Sequence, residues 1–95
     1  MKSTQILKSV RGKSLKTQND LAKDLKVSRQ VYCGYENNPL QCPVVILFKI
    51  LCVLSVNDKE IDEFFNALKQ DYLSYKNELI QELDDYAEEL EKEKI

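Results

Sequence analysis

Residues 17–38 read TQNDLAKDLKVSRQVYCGYENN, and this stretch decides the fold. Thr17 is a good N-cap for a helix, and Asp20 at the third helical position completes an approximate capping box. After a tight connection, Ser28 caps a second short helix over 28–37, which stops before a proline because the residue preceding proline disfavours the α conformation. The stretch therefore predicts two short helices joined by a tight turn.

The remainder of the chain also predicts helices, because it shows no sustained alternation and only two Gly and two Pro occur in 95 residues. Hydrophobic spacing predicts a first helix over 3–12, with Ser3 as its N-cap and Gly12 at its end. Pro43 suits the first turn of a helix over 43–55, which is apolar on nearly every side and is expected at the centre of the core. Asn57 or Asp58 opens a fifth helix.

Beyond Leu68 no helix-breaking residue occurs, and apolar residues recur at spacings of 3, 4, 4, 3 and 4. This heptad-like seam, with one four-residue stutter, consists of Tyr72, Tyr75, Leu79, Leu83, Tyr86 and Leu90. So narrow an apolar stripe on a polar helix needs a partner. Homodimerisation is one solution, and docking of another protein or folding back onto the chain's own core are the others.

The net charge of -2 conceals a strong asymmetry between the two halves of the chain. Residues 1–57 hold nine Lys or Arg against three acidic residues, a net of +6, whereas residues 58–95 hold five Lys against thirteen acidic residues, a net of -8. Such a division is typical of a basic binding head with an acidic tail.

Composition argues against an enzyme. The chain has no His, so the common general base, nucleophile pairs and most zinc sites are missing, and its two Gly form no phosphate-binding loop. We expect no cofactor and no metal. The chain has an odd number of cysteines and no CxxC motif: Cys33, Cys42 and Cys52. Together with the lack of a signal peptide, this predicts reduced cysteines and a cytoplasmic location. The longest apolar stretch, over 44–54, is too short to span a bilayer, so no membrane partner is expected.

Arg11 together with the stretch 17–38 resembles the Cro/phage-repressor type (XRE-like) helix-turn-helix family. The shared pattern is an Arg, then Thr-Gln-x-x-Leu-Ala, a Val-Ser turn, an aromatic residue before Glu-Asn, and an apolar helix ending Leu-x-Val. The resemblance covers about residues 5–65. It implies an all-α fold, with a five-helix repressor-like domain over 1–68 followed by a long acidic C-terminal dimerisation helix over 69–95.

The resemblance also implies a function and a set of contacts. The chain would be a transcriptional regulator, a repressor that binds a palindromic operator in double-stranded DNA as a homodimer through the major groove. Base-reading residues would be Ser28, Arg29, Gln30 and Cys33. Phosphate contacts would come from Gln18, Lys8, Lys13, Lys16 and Lys23, and Arg11 and Glu36 would form a structural ion pair.

Three positions depart from the family pattern. Lys26 and Asn38 stand where Gly is common, and Gly34 replaces a longer polar residue that often reads bases. Lys26 would cost about 1–3 kcal/mol if held in a left-handed conformation. Tyr32 and Tyr35 are expected to face the core, as are the small hydrophobes Cys42 and Cys52.

Two other functions remain open. The chain would be an antitoxin-like or antirepressor-binding module if its acidic C-terminal helix held a protein partner. It would be a protein-interaction adaptor if the fold had lost DNA binding.

Overall fold

A computed structural model describes residues 1–93, and this part of the chain is all-helical, without a strand. Residues 94 and 95 of the predicted C-terminal helix lie outside the described residues. The helices are α1 (Lys2–Lys13), α2 (Gln18–Leu25), α3 (Arg29–Asn37), α4 (Val44–Val53) and α5 (Asp58–Glu93), with a 3-10 turn at Pro39–Gln41 between α3 and α4.

Local capping starts three of the helices where the sequence predicts. At α2 the Thr17 hydroxyl accepts from the backbone N–H of Asp20 at 3.1 Å, and the Asp20 carboxylate accepts from that of Thr17 at 2.9 Å. At α3 the Ser28 hydroxyl accepts from the Val31 N–H at 3.1 Å. Asn57 and Glu60 form a second reciprocal pair at α5, at 2.8 and 3.1 Å. These predicted helix starts are confirmed.

The boundaries of α1 differ from the prediction. Ser3 is not an N-cap: it lies inside the helix, fully buried, and bonds to Asp71 of α5. Gly12 does not end the helix, which continues to Lys13 and closes at Ser14. The chain then turns at Leu15, a non-glycine residue with φ of 56°. Tertiary contacts hold both ends: Asp71 bonds to Ser3 at the start, and the Ser14 hydroxyl donates to the carbonyl of Leu54 at 3.2 Å at the end.

The core lies between α1, α2, α3, α4 and the first part of α5. Tyr32 is fully buried, as predicted, and Tyr35 packs against the core from a half-buried position. The largest side chains that are buried with it are Leu7, Leu21, Leu47, Ile50 and Phe64.

The expectation that α4 is buried on all sides is wrong. Its inner face, with Leu47 and Ile50, is buried, but Val44, Val45 and Phe48 are between 52% and 61% exposed. Cys52 is exposed on this helix as well, whereas Cys42 is buried as expected. A small five-helix domain has elements to cover only one side of α4, so hydrophobicity alone overstated its burial.

The predicted fifth helix and the predicted C-terminal helix form one continuous helix, α5, of 36 residues. No Gly or Pro interrupts it, and 36 residues span about 54 Å. Phe64, Ala67 and Asp71 are buried against the rest of the fold, and residues 72–92 are exposed throughout. We call residues 1–71 the head and the exposed part of α5 the stalk. The stalk is not folded back on the core.

None of the helices over residues 1–93 combines the length and hydropathy needed to cross a membrane.

Candidate nucleic-acid interface

The turn between α2 and α3 depends on one left-handed residue. Lys26 has φ of 58° and ψ of 41°, the conformation for which the family pattern uses Gly. Its N–H donates to the carbonyl of Lys23 at 3.1 Å, and the N–H of Val27 donates to that of Ala22 at 3.0 Å. These bonds close α2 and offset part of the strain, and they allow α3 to begin two residues after Val27.

Arg11 and Glu36 form a two-contact ion pair that joins α1 to α3. Arg11 Nε and Nη2 donate to the two carboxylate oxygens of Glu36 at 2.9 and 3.1 Å. The Tyr32 hydroxyl donates to the same carboxylate at 2.5 Å, and the Gln18 amide donates to it at 3.4 Å. Glu36 is thus a fully buried carboxylate that receives bonds from three helices.

This network fixes the charge of its members. Burial alone would raise the pKa of Glu36, but the hydrogen bonds from Arg11 and Tyr32 hold that pKa below its ordinary value. Burial, together with the neighbouring carboxylate, raises the pKa of Tyr32 far above its ordinary value. The hydrogen bond to Glu36 raises the pKa of Arg11. Glu36 is therefore ionised and Tyr32 neutral at physiological pH, so the ends of α1, α2 and α3 are held in one arrangement.

A polar cleft lies beside this network, at the positive N-terminal end of α2. Residues lining it come from α1, α2 and α3: Lys8, Arg11, Thr17, Gln18, Asn19 and Arg29. Lys8, Arg11 and Arg29 are cationic, and Arg11 is already paired with Glu36. A helix N-terminus beside Lys8 and Arg29 favours an anion such as a phosphate group.

The first turn of α3 borders this cleft and is open to solvent. Ser28, Arg29 and Gln30 are all exposed, and the Ser28 hydroxyl also serves as the cap of the helix. Val31 is 42% exposed beside them, although apolar. Val31 and the cleft residue Asn19 were not among the predicted site residues. The position of Asn19 in the first turn of α2 was the available signal for the latter.

Cys33 and Gln18 are more enclosed than Arg29 and Gln30. Cys33 is half-buried, and its sulfur accepts weak hydrogen bonds from the amides of Gln18 at 3.7 Å and Asn37 at 3.6 Å. The Gln18 side chain therefore faces Glu36 and Cys33, while its backbone lies at the positive end of α2.

The four candidate lysines lie in different settings. Lys8 lines the polar cleft. The Lys16 ammonium pairs with the Asp24 carboxylate at 2.8 Å, on a partly exposed part of the surface. Lys13 and Lys23 are exposed outside the cleft. The structure thus brings Lys8 together with Arg29 and the start of α2, and does not bring the other three there.

The predicted seam lies on the exposed surface of the stalk. Its six residues are between 38% and 69% exposed: Tyr72, Tyr75, Leu79, Leu83, Tyr86 and Leu90. Two further apolar residues outside the predicted seam, Leu73 and Ile80, are 55% and 45% exposed next to it. The stalk therefore carries a larger apolar surface than predicted.

No family model, curated protein or solved structure matches the chain.

Proposed function

We propose that the chain is a sequence-specific DNA-binding transcriptional regulator, a repressor that binds a palindromic operator as a homodimer. The observation that carries the proposal is the exposed first turn of α3 beside a cationic cleft at the N-terminus of α2. This pairing offers base-reading side chains and a phosphate site on one surface, as a helix-turn-helix requires.

In this proposal α3 enters the major groove with its N-terminal turn. The Arg29 guanidinium would bind the O6 and N7 acceptors of a guanine, and the Gln30 amide would pair with an adenine. Gln30 and Arg29 are exposed at adjacent positions, so they would read neighbouring bases on one side of the helix.

The phosphate contacts would come from the polar cleft. Lys8 and the backbone at the start of α2 would hold one phosphate group, which fixes the position of α3 on the duplex. The Arg11–Glu36 pair would act indirectly, by keeping α1, α2 and α3 in the arrangement that presents the cleft and α3 together.

Selection of binding sites from random DNA, followed by titration of single variants, tests the proposal. We expect Arg29→Ala to weaken the selected site about 5- to 150-fold and to relax the preference at one base pair. Lys8→Ala should weaken binding to all DNA sequences alike and reduce the slope of log affinity against log salt concentration by about one. Lys49→Ala, an exposed cation on α4 away from the cleft, is the matched control. Equal affinity of the parent and an Arg29→Ala, Gln30→Ala double variant for every DNA would refute DNA reading by α3.

A second candidate function is binding of a protein partner, as in an antitoxin-like or antirepressor-binding module. The exposed outer face of α4, with Val45 and Phe48, favours it, because pairing of the stalks alone does not require this face. Val45→Asp, at a position that is 61% exposed, distinguishes the two. DNA binding and dimer mass should be unchanged under the first proposal, while a protein partner held by α4 would be lost.

A further inference from the structure

The apolar surface of the stalk is extended on one edge only. Leu73 and Ile80 each follow a seam residue directly, and Ala87 continues the same seven-residue interval. All three are exposed, so this edge adds apolar surface to the seam, between the charged residues Lys69, Lys76, Asp84 and Glu91. The opposite edge of the seam is acidic and carries Glu78, Glu82 and Glu89. The two edges of the seam therefore differ in character, and this decides how two stalks pair.

The head packs mainly on another side of α5 than the seam. Phe64, Ala67 and Asp71 are buried against the head, and they lie in line with the acidic edge of the stalk. Ile61, Phe65 and Leu68 precede Tyr72 in line with the seam and are only half-buried. The head thus covers the acidic side of the first part of α5 and leaves the side of the apolar edge open.

We propose that a second copy of the chain packs antiparallel along the stalk, with Tyr72 opposite the partner's Leu90 and Leu79 opposite the partner's Leu83. This inference rests on the proposed homodimer and specifies its geometry. The two-fold axis then crosses the helices near Gln81, and the heads lie at opposite ends of the paired stalks.

The position of the head leaves one side of the stalk open. Because the head packs on the acidic side of α5, a partner helix reaches the seam over the apolar edge. Two copies can each present that edge to the other only when they run antiparallel.

The edges of the seam favour the same direction. In an antiparallel pair the two-fold axis is perpendicular to the helices, so each edge of the seam faces the same edge of the other copy. In a parallel pair each edge faces the opposite edge of the other copy. Antiparallel pairing therefore brings the Leu73, Ile80 and Ala87 edges of both copies together. Parallel pairing would set that apolar edge against the acidic edge, with its three Glu residues.

Charge complementarity supports the antiparallel register as well. Lys69 and Lys76 lie on the apolar edge, and the partner's Glu91 and Asp84 would lie across from them. Interhelical pairs of this kind select the orientation of helix pairs more than they add stability. The acidic edge stays in solvent, because the helices meet over the apolar edge on the other side.

A groove at the base of the stalk lies on the acidic side of the seam. It has a volume of about 420 Å³ and lies between the 3-10 turn and α5, and its lining combines Leu40 and Tyr75 with Glu78 and Glu82. The antiparallel pair leaves this groove open, because the helices meet over the apolar edge on the other side.

Disulfide trapping in full-length chains with Cys52→Ser tests the direction. Leu90→Cys and Tyr72→Cys chains, carrying tags of different length, are mixed and exposed to a mild oxidant. We expect a mixed crosslinked dimer and at least tenfold less crosslinking of Leu90→Cys with itself. The Cys52→Ser parent and Asn77→Cys, which lies off the apolar face, are the controls. Leu90→Cys dimers crosslinked to themselves would establish a parallel pair and overturn the proposal.

Sedimentation equilibrium gives a second measurement, on uncrosslinked chains. The parent should have the mass of a dimer. Ile80→Lys should raise the dissociation constant of the dimer at least tenfold, and Asn77→Lys should leave it unchanged. A monomeric parent, or a dimer that is insensitive to Ile80→Lys, would overturn the proposal. Binding of the parent to selected DNA is measured separately, so a failure of the antiparallel pair is distinguishable from a failure of the DNA-binding function.

Discussion

Asp71 of α5 caps the N-terminus of α1 through Ser3. One carboxylate oxygen of Asp71 accepts from both the backbone N–H of Ser3, at 3.0 Å, and its hydroxyl, at 2.5 Å. The other oxygen accepts from the N–H of Lys2 at 2.9 Å. Burial would raise the pKa of Asp71, but these hydrogen bonds hold it below its ordinary value. A helix that lacks a local side-chain cap is therefore capped by a residue 68 positions away.

Removal of this cap should destabilise the head. We expect Asp71→Ala to lower the free energy of unfolding by about 2 kcal/mol, because it removes a helix cap and leaves buried donors without an acceptor. Urea denaturation followed by circular dichroism measures the change. Asp62→Ala, an exposed carboxylate on the same helix, is the control and should stay within about 0.5 kcal/mol of the parent. A loss no larger than that of the control would show that the cap contributes nothing.

The buried Glu36 carboxylate should matter more than any surface ion pair. Glu36→Gln keeps the shape of the side chain but leaves Arg11 without its counter-charge, and we expect a loss of about 2–3 kcal/mol in unfolding free energy. Asp24→Asn breaks the exposed pair with Lys16 and should cost less than about 1 kcal/mol. Denaturation of both variants under one set of conditions gives the comparison, and equal losses would contradict the assigned burial.

The same carboxylate predicts an acid-dependent loss of stability. The pKa of Glu36 in the folded chain is below its ordinary value of 4.5. The stabilisation is therefore complete above pH 4.5 and falls as the pH decreases toward the folded pKa, because the unfolded chain takes up the proton first. Thermal unfolding between pH 7 and pH 3 should show this fall, and it should be shallower in Glu36→Gln. Identical pH profiles for the two chains would show that Glu36 does not cause the loss of stability at low pH.

No steric contact requires a glycine at position 34 of α3. A Cβ added there meets nothing within 4 Å, and the same holds for Gly12 within α1. Because Gly costs a helix interior about 1 kcal/mol relative to Ala, we expect each Gly→Ala variant to stabilise the head by about that amount. Gly34→Ala should in addition change DNA affinity if α3 lies against bases, whereas Gly12→Ala should not. A destabilised Gly34→Ala chain would contradict the open space at this position.

The proposed antiparallel pair would separate the two operator half-sites widely. Sixteen residues separate Phe65, where α5 packs on the head, from Gln81 at the proposed two-fold axis, so the heads would lie about 48 Å apart along the helices. Half-sites one DNA turn apart are separated by only about 34 Å. We therefore expect selected operators whose half-site centres are more than one turn apart. Footprints with a one-turn spacing would favour the parallel pair instead.

Much of the local structure was predictable because its signals are local. Thr17 with Asp20, Ser28, and Asn57 each cap a helix within three residues of themselves, so sequence spacing suffices. The Arg11–Glu36 pair spans 25 positions, yet the family resemblance implied it, and the two residues are in contact.

The parts that were not predicted depend on distant partners. Ser3 reads as a helix cap until Asp71, 68 residues later, is known to bond to it inside α1. Hydrophobicity gave no way to tell which side of α4 the other helices cover, so Phe48 was placed in the core. Leu73 and Ile80 were left out of the seam because a strict heptad count excludes the residue that follows each seam position.

Because α5 is one unbroken helix, the head fixes the direction in which the apolar face of the stalk points. The Asp71–Ser3 contact holds α5 at the head, and each residue beyond it adds a rotation of about 100° around the helix axis. One extra residue between Asp71 and Tyr72 would turn the apolar face by about 100° relative to the head, whereas seven would restore its direction almost completely. The number of residues between the head and the seam therefore sets how the head is oriented relative to a paired stalk.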